Sequence, residues 1–511
     1  MPTGRQFPSM MAPLSLLLAF TAITEVSSKP KEHQILKLPG WDASLPSEVY
    51  AGYIPAGNDT QDGTDYEMFE HYMFIESEGD PSSDPLVVWT NGGPGASSFF
   101  GLFVELGPFI LDDDSLKTKE YNQTGIPTLW RNEFSWTKAA SILILNSPPP
   151  VGFSYCNPAG PSGDGTSCGS WNDSRTAKHN YAFLQNWFKS FPEYRKNDFY
   201  ITGESYAGIY VPTLAREIIE NENAINLKGW AVGDGCLGND ILCGSGKDAW
   251  KGPYFTIEFM HGHGQFSDKT YEAIMSVCSK DELIYGVTEK ACSDLIDRMH
   301  QELGGYYSYN LYDECWYEND LMLKETLAGS RSYWGPPRLT STSAAGDGKG
   351  FKAGLNDYPC GGPGALKKWM GHSAVKTALH VPQDAFFFSG DNGAGFVYNL
   401  TEPNLSSFYK TTAEKSAYRV LIYNGDTDPG LNSFVMQNWT RALGLKEVEG
   451  WRPWTLDGRQ RMGGYVTRYE GNFDTLTIRG SGHMVPEFKP RAALEFLSRW
   501  LKNEEWQRYQ A

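Results

Sequence analysis

No cysteine precedes Cys156 and none follows Cys360, so neither end of the chain can be stapled by disulfides. Basic residues are scarce: 44 Lys and Arg face 61 Asp and Glu, a formal net charge of −17. That deficit excludes the Lys/Arg footprint a nucleic acid needs and disfavours docking on anionic lipid. Beyond the N-terminal leader, no apolar run reaches the roughly 18 residues of a membrane helix. There is no internal repeat and no G-x-x-x-x-G-K-[ST] phosphate loop. Paired C-x₂-C and H-x₃₋₅-H sets are missing, which removes the common zinc sites. Asp426-x-Asp428 lacks the rest of an EF-hand loop, so calcium is not expected there.

What is present is core material and turns. Hydrophobic residues make up 40% of the 511 and aromatics 14%, enough apolar surface to offset ordering entropy. The 54 Gly and 30 Pro imply many turns and long loops. Residues 1–28 read as a secretory leader: Arg5, then the apolar run Ala12 to Ile23, then small residues at Val26 and Ser28. Six N-x-[ST] sequons begin at Asn58, Asn122, Asn172, Asn399, Asn404 and Asn438. Leader and sequons together predict a glycoprotein of the secretory pathway. Its eight cysteines are then expected in disulfides. Local pairs are the simplest expectation: Cys156 with Cys168, and Cys236 with Cys243.

Pro85 to Trp89, Ser141 to Leu145 and Arg419 to Tyr423 are short, continuously apolar runs bounded by turn residues. They read as parallel strands covered on both faces. Phe199 to Thr202, Trp230 to Val232 and Thr475 to Ile478 are shorter candidates. Ala177 to Phe191, Tyr206 to Ile219 and Arg491 to Leu501 carry helical apolar spacing. Strands alternating with helices imply an α/β fold with a mostly parallel central sheet and helices on both faces. The rhythm breaks between about Cys236 and Gly364. That stretch is Cys- and Tyr-rich and reads as an insertion on a single unit spanning 29–511.

One motif carries chemistry. Gly203-Glu-Ser-Tyr-Ala-Gly208 follows a strand and opens a helix, the setting of a nucleophile elbow at Ser205. Small flanking residues suit its strained turn, and the helix N-terminus faces the hydroxyl. Asn91-Gly-Gly-Pro-Gly95 follows another strand, where Gly93 and the residue after the nucleophile, Tyr206, could supply oxyanion N–H groups. Asp426 and Asp428 end strand Arg419 to Gly425. His483 lies in a Gly-rich loop after the last strand. The order Ser, Asp, His is that of α/β-hydrolases. The His261/His263 pair reads as ordinary surface or core histidine.

The set W-T-N-G-G-P-G-A-S-S (Trp89 to Ser98), F-V-E-L-G-P (Phe103 to Pro108), V-G-F-S-Y (Val151 to Tyr155), G-E-S-Y-A-G, N-G-D-T-D (Asn424 to Asp428) and G-S-G-H-M-V-P (Gly480 to Pro486) resembles the serine carboxypeptidases. The resemblance runs from about residue 35 to the C-terminus. It implies an α/β-hydrolase fold with a disulfide-bearing cap. It implies Ser205 as nucleophile, His483 as base and Asp428 as its orienter, with Asp426 the fallback. Gly93 and Tyr206 would form the oxyanion hole. Trp89, Asn91, Gly92, Glu105 and Glu204 would hold the substrate's C-terminal carboxylate, and Met484 would line the leaving-residue pocket. Ala96 stands where the family usually has Cys.

The expected activity is removal of C-terminal residues from peptides and proteins through an acyl-enzyme, best at acid pH. No metal or organic cofactor is implied. The expected partners are peptides with a free C-terminus, with no nucleic acid and no membrane after leader removal; a homodimer is left open. The expected compartment is extracellular, vacuolar or lysosomal. An acyltransferase or esterase on the same scaffold is the alternative, and a catalytically silent binding protein a third class.

Overall fold

The computed structural model describes residues 29–221, 225–241, 250–313, 315, 358–389 and 395–510. The leader, Cys243 and the Gly/Ser-rich run from Ser341 lie outside them. Ten strands of more than three residues build the main sheet. They are β1 (Val49–Gln61), β2 (Thr64–Ile75), β3 (Leu86–Thr90), β4 (Ser141–Leu145), β5 (Phe199–Glu204), β6 (Leu227–Gly233), β7 (Arg419–Gly425), β8 (Glu447–Thr455), β9 (Met462–Tyr469) and β10 (Phe473–Ile478). Their order is β1-β2-β4-β3-β5-β6-β7-β10-β9-β8. The six middle strands, β4 to β10 in that order, run parallel. Both flanks are antiparallel.

The centre is as the apolar runs predict: Ser141–Leu145 matches its run, Leu86–Thr90 is shifted by one residue, and the other central strands extend theirs by a few residues. The long antiparallel flanks were not expected. Asp62-Gly63 turns β1 into β2 with both residues at positive φ, the turn that Asp-Gly supports between hydrophobic strands.

Alternate residues of the central strands enter opposite cores. Val87, Trp89, Ile142 and Ile144 meet Phe496, Leu497 and Trp500 of the C-terminal helix. Leu86, Val88, Leu143 and Leu145 meet helices α1 (Asp173–Ser190) and α2 (Ala207–Glu220) through Phe183, Leu184, Ile209 and Leu214. Burial on both faces is why these strands are apolar throughout. Helix α1 starts earlier than its apolar period, because Asn172 Oδ1 caps it by accepting from the Arg175 amide at 2.9 Å.

Residues 254–303 form four helices around a smaller core of Ile257, Phe259, Ile274, Ile296 and Met299. Disulfides join Cys156 to Cys168, as expected, Cys278 to Cys292 and Cys315 to Cys360. Cys236 is also disulfide-bonded. Among the described residues no helix is long and apolar enough to cross a membrane.

Candidate active site

The central strands all deliver their C-terminal ends to one rim of the sheet, where open α/β sheets place their sites. Strand β5 ends at Glu204, and Ser205 follows with φ +63. A non-glycine residue there is strained, and such strain clusters at functional sites. The surroundings hold it in place. The Ser205 amide donates to Gly233 O at 3.0 Å, and its carbonyl accepts from Gly208 and Cys236 amides. The small flanks are obligatory. A Cβ on Gly203 would lie 2.4 Å from Thr90 O, and one on Gly208 would lie 2.2 Å from Cys236 O. The elbow is anchored sideways as well. Tyr206 donates its hydroxyl to Asp173 at 2.7 Å, and Asp173 also accepts from Tyr398 and from the Thr401 and Glu402 amides.

The loop after β3 presses on the elbow. A Cβ on Gly92 would sit 2.3 Å from the Tyr206 amide nitrogen, so only glycine permits the approach. Gly93 follows at φ +106. The two N–H groups proposed from sequence for an oxyanion therefore belong to loops in direct contact.

Strand β7 and the loop after β10 bring Asp428 and His483 together. His483 Nδ1 lies 2.8 Å from Asp428 Oδ2, and both side chains are buried. Asp428 Oδ1 accepts from the Gly430 and Leu431 amides. Asp426 points elsewhere: its Oδ1 accepts from Gly480 N at 2.6 Å, tying the two loops together. Burial pushes its carboxyl up to about 6.

The carboxylate set is one connected network. Asn91 Oδ1 accepts from the Trp89 indole at 2.8 Å and from the Gly101 amide at 3.1 Å. With its oxygen so occupied, Asn91 Nδ2 donates to Glu105 at 3.2 Å and to Glu204 at 2.9 Å. Glu105 comes from a wide π-helical turn, Gly101–Leu106, a rare form frequent at functional sites. The other oxygen of each glutamate is buried without an N–H or hydroxyl donor. Burial raises both acids above the usual carboxylate range, and the charge of Glu105 raises Glu204 further. Two carboxyls so placed share protons and do not both ionise.

Three features were not read from the sequence. Glu487, just past Met484, is a further buried acid, raised by burial and by the charge of Glu105. With Glu105, Val104, Leu111 and Tyr358 it lines a cavity of about 270 Å³ that Met484, itself buried, does not line. Asp234, at the end of β6, brings its carboxyl within 4.8 Å of the polar atoms of Asp428 and His483. Third, residues 307–311 strap both loops. Tyr309 O accepts from the His483 amide at 2.7 Å and its ring lies 5.1 Å from the imidazole. Leu311 N donates to Thr427 O, and Thr427 Oγ1 donates to Asn310 Oδ1. Of the His261/His263 pair, His261 faces Asp268 and stacks on Tyr271, whereas His263 packs on Phe259 within electrostatic reach of Asp426.

This arrangement can attack an acyl group at a site that also has a proton-bearing carboxyl pair. The family described as serine carboxypeptidase matches residues 39–503. "Serine carboxypeptidase-like 21" of Arabidopsis thaliana is 32% identical, across 98% of this chain and 99% of that protein. "Lysosomal protective protein" of Mus musculus is 31% identical, across 97% and 98%. The crystal structure of Kex1(delta)p, a prohormone-processing carboxypeptidase from Saccharomyces cerevisiae, shares the fold at TM-score 0.64 and 20% identity, covering 93% of this chain and 96% of that one. The chain belongs to the serine carboxypeptidase family.

Proposed function

We propose that the protein releases single C-terminal residues from peptides through an acyl-enzyme on Ser205, working best at acid pH. Ser205 Oγ attacks the last peptide carbonyl and passes its proton to His483, whose other nitrogen faces Asp428. The Gly93 and Tyr206 amides receive the developing oxyanion. His483 returns the proton to the leaving amine, and water then repeats the cycle to free the shortened peptide.

One observation carries the choice of substrate: the Asn91 amide joins Glu105 to Glu204, and Glu204 immediately precedes Ser205. A carboxyl that keeps its proton can donate to a substrate's terminal carboxylate. An internal peptide bond would leave these buried groups unpaired, which is costly. The same network weighs against the acyltransferase reading, since an acyl donor needs no C-terminal carboxylate.

We further propose removal of residues 1–28 as a leader, residues 236–364 as a cap on the main unit, and a lumenal or extracellular destination. Exposed side chains at Asn122, Asn399 and Asn404 suit glycan attachment.

The test is to treat the mature chain with a fluorophosphonate, and to assay blocked dipeptides with free and amidated C-termini at acidic and neutral pH. Labelling at Ser205 and turnover of the free acids alone is the expected result. Labelling elsewhere, or equal turnover of the amides, overturns the reading.

A further inference from the structure

The geometry points to Asp234 as a positioning residue that carries a proton and donates it to Asp428. This rests on the reading of Ser205, Asp428 and His483 above.

Asp234 is fully buried, at positive φ, with its amide donating to Tyr423 O at 2.9 Å. Its two oxygens differ. Oδ1 accepts from Asn424 Nδ2 at 2.7 Å and from the Gly425 amide at 2.9 Å. Oδ2 is buried and receives no N–H or hydroxyl. Asp428, by contrast, accepts from the His483 ring and from two backbone amides. One carboxyl oxygen of each acid and one His483 nitrogen all lie within 4.8 Å of one another.

Two buried carboxylates at that range cannot both hold a charge. The one with three donors is the better anion. The one with an undonated oxygen is the place for the shared proton, and from Oδ2 that proton can point only at an acceptor. Other groups facing Asp234 push the same way. Glu204 on β5 is a further buried acid and Tyr423 on β7 brings a buried hydroxyl, and neither supplies a cation. Burial, then the charge of Asp428, lift Asp234 well above the carboxylate range.

The proton has two effects. It completes the set of donors that locks the Asp428 rotamer, and so the His483 ring. It also keeps a second negative charge away from the His483 ring. A neutral Asn has the same shape and supplies the same donor, and it tolerates positive φ.

The test uses the full mature chain with Asp234→Asn and Asp234→Ala. One aliquot of each protein is labelled with fluorophosphonate, and a separate unlabelled aliquot is assayed for kcat and KM against pH. We expect Asp234→Ala to lower kcat about 10- to 100-fold with KM nearly unmoved. Asp234→Asn should recover most of that loss, with an acid limb of kcat/KM at the wild-type pH. An Asn variant whose acid limb moves down by about one pH unit or more would mean that wild-type Asp234 is charged. That result overturns the proposal, as does an Ala variant with wild-type kcat. If the Ala variant does not fold, the Asn pH profile decides alone. Failure of Ser205 to label in the wild type overturns the underlying active-site reading instead, so the two failures are distinguishable.

Discussion

Asn91 illustrates how one side chain can set the chemistry of two others. Its oxygen is held by the Trp89 indole and the Gly101 amide, so its NH₂ must face the two glutamates. Asn91→Ala removes both donors and leaves buried carboxyls unsatisfied. We expect kcat/KM for free-acid peptides to fall about 10- to 100-fold, equivalent to roughly 1–3 kcal/mol. Fluorophosphonate labelling of Ser205 should persist. At Glu204 the sign is clear. Its raised carboxyl stays protonated at acid pH and loses the proton as pH rises, so KM should climb with pH in the wild type. Glu204→Gln keeps a donor at all pH values and should flatten that climb. An unchanged pH profile of kcat/KM in this variant would refute proton sharing.

At the scale of elements, the chain shows what a sequence can and cannot reveal. Strand β4 is legible to the residue, because an apolar run of five bounded by turns leaves little freedom. The nucleophile elbow is legible because its strain demands small neighbours nearby in sequence. The β1–β2 hairpin carries a local signal in Asp62-Gly63, but its long antiparallel strands lack the continuous apolar runs of the centre. Asp234 and the 307–311 strap carried none: their partners lie far away in the chain and meet only in the folded state. The strap matters mechanically, since it clamps the loops of Thr427 and His483 with two backbone hydrogen bonds and one from a side chain. Asn310→Ala removes the side-chain link. A drop in kcat with unchanged KM and unchanged far-UV circular dichroism is the expected outcome. Gly101→Ala is a harsher test, because its Cβ would lie 2.1 Å from the Trp89 indole nitrogen. It should lower kcat/KM for peptide acids even where the fold survives.

For the whole molecule, the buried acids couple stability to pH. Glu70 is fully buried, and burial lifts its carboxyl to about 8 against a smaller opposing effect of the Ser147 hydroxyl. Asp426 is lifted to about 6. A raised carboxyl stabilises fully below its unfolded value near 4.5, and that contribution is lost as pH rises through the folded value. Asp59 and Glu48 are lowered by hydrogen bonds and cationic partners, so their contribution is lost on the other side, at lower pH. Calorimetry should therefore show Tm falling from about pH 5 to 8. Glu70→Gln should flatten that slope; a wild-type Tm that is level or rising over the interval would contradict the account. The net charge of −17 acts in the same direction, because self-repulsion eases as carboxyls protonate.

The adjacency of Glu204 and Ser205 has a consequence for product size. A recognition group and a nucleophile on separate loops could drift apart through loop motion or insertion. Here they are consecutive residues, with Cα atoms held about 3.8 Å apart by one peptide unit. The distance from the substrate's terminal carboxylate to the bond that breaks is thus set by a covalent ruler. With the roles proposed for Glu204 and Ser205, such a chain counts one residue per cycle. Timed digests of a long peptide should yield a ladder with single-residue steps and no released dipeptides, whatever the side chains being removed.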